Sequence, residues 1–275
     1  MNKVFQNASL QIRNWKSTPR IWIVFIFIII FLESYKSYGN FCVENHMAMS
    51  PWIYSLIFSD EGSVFVFFSN IILLFANAPF MEEYQLFYFM RCGKKKWYTS
   101  QILYIFLASI IYFSTIFLVS IIYLSPYMSF QTEWGKIFMT ISRNITQFSI
   151  VVERFSAITA TVYSLAIHVL IGVFLGLLLF DLNLLFKRGV GIMCALFFVI
   201  LSYVLGYVEI GQSLMSLIWR YVSPISWARM SFYHEGIGGL PLWYPFVVLG
   251  ICIGVLFIFG MVLVNKRPFE VQEEM

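Results

Sequence analysis

Charge is what this chain has least of. Only 12% of its 275 residues are Asp, Glu, Lys or Arg, about half the share of an ordinary soluble domain. A soluble protein of this size needs a polar skin over its core, and so little charge cannot supply one. No GxxxxGK run followed by Ser or Thr occurs, so the chain has no P-loop of its own for ATP. HExxH, GxSxG and a convincing glycine-rich dinucleotide loop are also missing, which removes the usual signals for zinc-peptidase, hydrolase and nucleotide-cofactor chemistry. The four cysteines (Cys42, Cys92, Cys194, Cys252) are scattered without a CxxC pair. They read as reduced or buried thiols, with neither a disulfide framework nor a zinc site. The first twenty residues contain no apolar stretch leading to a small-residue cleavage site, so no removable signal peptide is expected. The net charge of +4 is too small to argue for nucleic acid. Catalytic, cofactor-binding and metal-ligating residues are therefore all expected to be absent.

What is abundant is apolar: 60% of residues are hydrophobic and 20% aromatic, with a mean hydropathy of +0.80. The apolar residues come in blocks near the roughly 20 residues that a helix needs to cross a bilayer. Six blocks stand out, at 19–38, 62–80, 102–124, 158–180, 190–208 and 242–264. The first is ragged, because Glu33 and Lys36 follow the end of its unbroken apolar run. With the N-terminus inside, the inner segments hold twelve of the 18 Lys and Arg residues and the outer ones six. The positive-inside rule thus places both termini in the cytoplasm of a multi-pass cell-membrane protein. The expected fold class is all-α and polytopic, in one membrane domain spanning 1–275: an interfacial segment 1–18, a six-helix body 19–264 and a cytoplasmic tail 265–275.

The segments between the blocks carry the remaining information. Wound as a helix, the N-terminal residues Val4, Phe5, Ala8, Ile12 and Trp15 share about a quarter of the circumference. That pattern suits a helix lying in the inner interface, broken at Ser17-Thr18-Pro19 where the first span begins. Between the second and third blocks, residues 80–101 are long for a turn and rich in aromatics. A short helix from about Met81 to Cys92 is expected there, with Glu82 and Glu83 at its start and Arg91 near its end, as the helix dipole favours. Gly93 would terminate it, and Lys94, Lys95 and Lys96 would face phosphates. Its apolar residues surround the axis, so it requires burial on more than one side. On the outside, 125–157 reads as a polar loop with helical pieces. The stretch 209–241 is too polar to span and too apolar to hang free, so short amphipathic or re-entrant helices fit it. Within the spans the polar residues include Asn70, Asn77 and His168. Membrane-embedded polar groups are functional candidates, but His168 reads first as an interhelical hydrogen-bond partner. Asp181 is expected to pair with Lys187 and Arg188 at the inner boundary.

This layout resembles the type-2 ABC transporter permeases, over nearly the whole chain and through loose motifs. The matching pieces are the amphipathic segment before Pro19, six spans with both ends inside, EEYQLFYFMRCGKKKWYTSQ between spans two and three, and SPISWARMSF before the last span. The resemblance implies an N-terminal elbow helix, a cytoplasmic coupling helix that docks a separate ABC ATPase subunit, and a second permease subunit forming a homo- or heterodimer in the lipid membrane. Carried over, Glu82, Glu83, Tyr84, Phe87 and Arg91 would contact the ATPase. Small permeases of this kind resemble bacteriocin or lantibiotic export and immunity systems, which implies outward movement of an amphipathic peptide or a hydrophobic small molecule. Three rival readings remain: an ion-coupled secondary transporter, an intramembrane enzyme, and a non-transporting sensor or scaffold. The first would need mid-membrane carboxylates and an internal repeat. The second would need a partner for His168, and the third predicts the same hydropathy.

Overall fold

A computed structural model describes residues 3–80, 83–143, 145–186, 189–208, 214–234 and 239–266. Helix dominates them, and the described residues contain no β-strand. In chain order the helices are α1 (Lys3–Arg13), α2 (Pro19–Glu33), α3 (Lys36–Glu44), α4 (Tyr54–Ile57), α5 (Glu61–Phe75), α6 (Glu83–Cys92) and α7 (Lys94–Leu124). They continue with α8 (Gly135–Ser142), α9 (Thr146–Arg154), α10 (Ala157–Leu185), α11 (Val190–Val208), α12 (Leu214–Val222) and α13 (Tyr244–Lys266).

Among the described residues, four stretches are long and apolar enough to cross a membrane: Pro19–Glu44, Lys94–Tyr127, Ala157–Leu185 and Tyr244–Lys266. This is the construction of a multi-pass membrane protein. Two shorter apolar helices, Glu61–Phe75 and Val190–Gly206, accompany them. The sequence blocks and the helices differ in instructive ways. The block 62–80 yields only 15 helical residues, about 22 Å at 1.5 Å per residue, short of a hydrocarbon core of about 30 Å. The helix stops because Pro79 disfavours a helical residue before it and cannot itself continue the hydrogen-bond ladder. Conversely, the block 102–124 is the body of a 31-residue helix that begins at Lys94. At about 46 Å it outreaches the hydrocarbon and carries its lysines beyond it. The first span runs past its expected end to Glu44, through a turn at Ser34 and Tyr35.

Local signals explain several starts. Pro19 occupies the first turn of α2, where its missing N–H costs nothing. The Asp60 carboxylate accepts from the Ser63 backbone N–H at 2.8 Å and caps α5. Ser156 caps α10 by accepting from Thr159 N–H at 3.2 Å. Between α6 and α7 only Gly93 intervenes, at φ 80° and ψ 162°, a region open essentially to glycine.

The centre of the molecule is α10, which packs on α13, α7, α11 and α5. Its most apolar window is 72% buried within the chain, against 17% for α13 and 28% for the first span. Hence α10 is wrapped by the chain, while α13 and the first span leave most of their surface uncovered by it. Close packing at α10 is set by Gly172 and Gly176, four residues apart. A Cβ at Gly172 would stand 2.9 Å from both Ile71 and Phe113, and one at Gly176 would stand 2.6 Å from Ile105. Small residues at this spacing let helices approach where lipid provides no hydrophobic push. At the end away from α1, residues 125–157 fold into α8 and α9, and the chain before α13 forms α12 followed by two tight helical turns at Ser226–Ala228 and Met230–Phe232.

Candidate functional site

Buried polar centres tie the described helices together, and one of them joins a short helix to a long one. On α1, Asn7 and Gln11 stand four residues apart and so share a face, and Trp15 follows in the 3₁₀ turn Asn14–Ser17. Each meets α7 or α6. Asn7 Nδ2 donates to Ser100 Oγ at 2.7 Å and to Gln85 Oε1 at 3.1 Å, and Gln85 Nε2 donates back to Asn7 Oδ1 at 3.1 Å. Gln101 Nε2 donates to Gln85 Oε1 at 3.1 Å, and Gln11 Nε2 donates to Gln101 Oε1 at 3.0 Å. One step further along, Trp15 Nε1 donates to Tyr104 Oη at 3.0 Å. Gln85 is the member on α6, fully buried between α1 and α7. The result is an amide ladder in which α6 is bonded to both neighbours at one residue. Unpaired amides are costly in an apolar setting, so the ladder ties the register of the three helices together, although Gln11 Oε1 has no partner among the described residues.

The first helix therefore packs differently from its helical projection. Its buried residues are Asn7, Ala8 and Gln11, whereas Phe5 and Leu10 are exposed. The polar pair, which the projection leaves aside, binds the protein together with Ala8, while Ile12 and Trp15 pack against the core as half-buried residues. Nothing in the local pattern marks Asn7 and Gln11 as paired. Their i, i+4 spacing and the isolated Gln85 in an aromatic helix are the only traces.

Of the residues expected to meet an ATPase, Glu82 lies outside the described residues. Glu83 opens α6, and Tyr84 and Phe87 follow on it; the side chains of these three also lie outside the described ones. Arg91 is exposed in the last turn of α6, beside the exposed Met90 and close in sequence to the exposed Lys95 and Lys96. The intervening Tyr88 is half-buried. Burial, together with Cys92, pushes its phenol up to about 12, so it stays neutral.

The other sequence candidates fall into two further centres and one surface position. Asn70 Nδ2 donates to the Val24 carbonyl at 3.0 Å and to Tyr112 Oη at 3.1 Å, tying α5 to α2 and α7. His168 is fully buried, with Nε2 3.0 Å from the Ala228 carbonyl and Nδ1 2.8 Å from Tyr54 Oη. A carbonyl only accepts, so Nε2 carries the hydrogen and Nδ1 accepts from Tyr54. Phe58 covers the ring at 3.9 Å between centroids. His168 is thus a rivet joining α4, α10 and the turn at 226–228, in agreement with its reading as a hydrogen-bond partner. Asn77 is exposed in the turn after α5 and belongs to neither centre. Asp181 does not present itself to a cation among the described residues. It accepts from Tyr98 Oη at 3.2 Å, while Lys187 and Arg188, its expected partners, lie outside the described residues. No three His, Cys, Asp or Glu residues gather as a metal site among the described residues.

Compared with protein-family models, curated proteins and solved structures, the chain gives no match.

Proposed function

We propose that the chain is the permease subunit of an ATP-driven ABC exporter, moving an amphipathic peptide or hydrophobic small molecule outward with a separate ATPase. The observation that carries this reading is the amide ladder. A short helix that cannot span is bonded through Gln85 to an amphipathic N-terminal helix and to the start of a spanning helix. A force applied to α6 from outside the membrane would reach α7 without loss in a flexible loop, since Gly93 alone separates the two. Supporting it are the exposed Met90 and Arg91 at the tip of α6 and the missing P-loop, which requires ATP to be bound by a partner. In this reading α1 is the elbow helix, α6 the coupling helix, and α5 and α11 complete six crossings with the four long spans. Both termini lie in the cytoplasm, and a second permease copy or a related one closes the path. ATP binding then biases two arrangements of the spans.

The test is purification of tagged protein from its native membrane in mild detergent, followed by mass spectrometry and an ATP turnover assay. A co-purifying P-loop ATPase whose association weakens in a Glu83→Ala, Phe87→Ala variant supports the proposal. A clean preparation without an ATPase, where known ABC complexes survive, rejects it.

A further inference from the structure

Near the end of α10, where α7 and α13 meet it, the Asp181 carboxyl is buried, with the residue only 1% exposed. Its Oδ1 accepts from Tyr98 Oη of α7 at 3.2 Å. The same phenol oxygen lies 3.4 Å from the Leu256 carbonyl oxygen of α13. Gly260, four residues further along α13, lays bare backbone on this pair. A Cβ added there would collide with Asp181 Oδ1 and Tyr98 Oη. Phe180 and Phe257 pack on the Tyr98 ring, so the surroundings are apolar. The second carboxyl oxygen, Oδ2, is buried and has no hydrogen-bond partner among the described residues, and no described cation pairs with Asp181. The other titratable groups of the described neighbouring helices make no bond to it: Lys94, one turn before Tyr98, Cys194 on α11 and the exposed Lys266 that ends α13. Glu61 opens α5 at the far end of the molecule, paired with Arg229.

The hydrogens at this junction do not balance for a charged carboxylate. Tyr98 has one hydrogen and two acceptors, Asp181 Oδ1 and the Leu256 carbonyl. A hydroxyl bonded to a carboxylate charge normally stands about 2.5–2.7 Å away, closer than here. A charge on Oδ2 would lie unpaired in an apolar interior, which is among the costliest groups to bury. One added hydrogen restores the balance. Placed on Oδ1 it donates to Tyr98 Oη, the phenol hydrogen passes to the Leu256 carbonyl, and Oδ2 is left as a neutral oxygen. We propose that Asp181 is a proton-binding site, and that its bound proton completes the chain from Asp181 through Tyr98 to Leu256 that locks α13 onto α10 and α7. The ligand is a proton and not a metal ion. The Gly260 backbone closes the space beside Oδ1, and these few oxygens fall short of the roughly six that a hard divalent ion takes. The lock uses neither α6 nor an ATPase, so it stands or falls independently of the permease reading.

The experiment is infrared difference spectroscopy of the full chain in phosphatidylcholine nanodiscs at neutral pH, unaltered protein minus Asp181→Asn. The expected difference is the C=O stretch of a protonated carboxyl, present in the unaltered protein, lost in the variant and moved slightly lower in D2O. Tyr98→Phe should shift that band to higher frequency, because the carboxyl loses its hydrogen-bond partner. Exchanging sodium chloride for potassium chloride should leave it in place. A difference spectrum with carboxylate bands alone, an acid band that Tyr98→Phe leaves unmoved, or one that sodium removes overturns the proposal. Should Asp181→Asn fail to fold, the band of the unaltered protein and its shift in Tyr98→Phe decide the matter, since exposed carboxyls are ionised at neutral pH and give no acid band.

Discussion

Buried side-chain amides and hydroxyls in an apolar setting act as fixed couplings, because leaving one unpaired there is costly. His168 allows this to be measured. His168→Phe keeps an aromatic ring but strands the Tyr54 hydroxyl and the Ala228 carbonyl, two groups that now meet the imidazole. The expected loss is about 2–3 kcal/mol, against about 1 kcal/mol for Tyr54→Phe, which strands only one nitrogen. Thermal unfolding in detergent compares them; equal melting of both variants with the unaltered protein would mean that the rivet carries no load. At this scale the sequence was partly readable. Asn70 and His168 stand out as polar residues in long apolar runs, and both turn out to bridge helices. Asn7 and Gln11 do not stand out, because a polar residue on an amphipathic helix looks like its solvent face. Only their partners on α6 and α7, some 80 to 90 positions away in the chain, reveal otherwise.

Helix existence was legible from apolar block length, and helix ends were not. The helix α5 is cut short at Phe75 by the approach of Pro79, although the apolar composition continues to Phe80. The helix α7 is extended backward through three lysines, since lysine is a good helix former and its charge lies beyond the hydrocarbon. Glycine distinguishes packed from free helix faces. Gly176 of α10 has Ile105 and Phe75 within 3.0 Å of where a Cβ would lie, whereas Gly250 of α13 has nothing within 4 Å. Gly176→Ala is therefore expected to destabilise by about 1–3 kcal/mol through overpacking. Gly250→Ala should leave the melting temperature unchanged or raise it slightly, since alanine is the better helix former. The reverse order in a thermal melt would contradict the position of α10 at the centre.

For the whole molecule, the multi-pass character was readable from composition alone. The arrangement of helices around α10 was not, because hydropathy does not single out the wrapped helix and only packing separates it from those the chain leaves uncovered. The proposed function depends on one connection in that arrangement, from α6 through Gln85 to α1 and α7. The most direct measurement cuts it. Gln85→Leu keeps the size of the side chain and removes its hydrogen bonds to Asn7 and Gln101, and ATP turnover is followed in the complex with its co-purified ATPase. The variant should keep the ATPase bound but turn ATP over several-fold more slowly. Turnover unchanged in Gln85→Leu, or a chain with no ATPase to assay, would contradict the role given to α6.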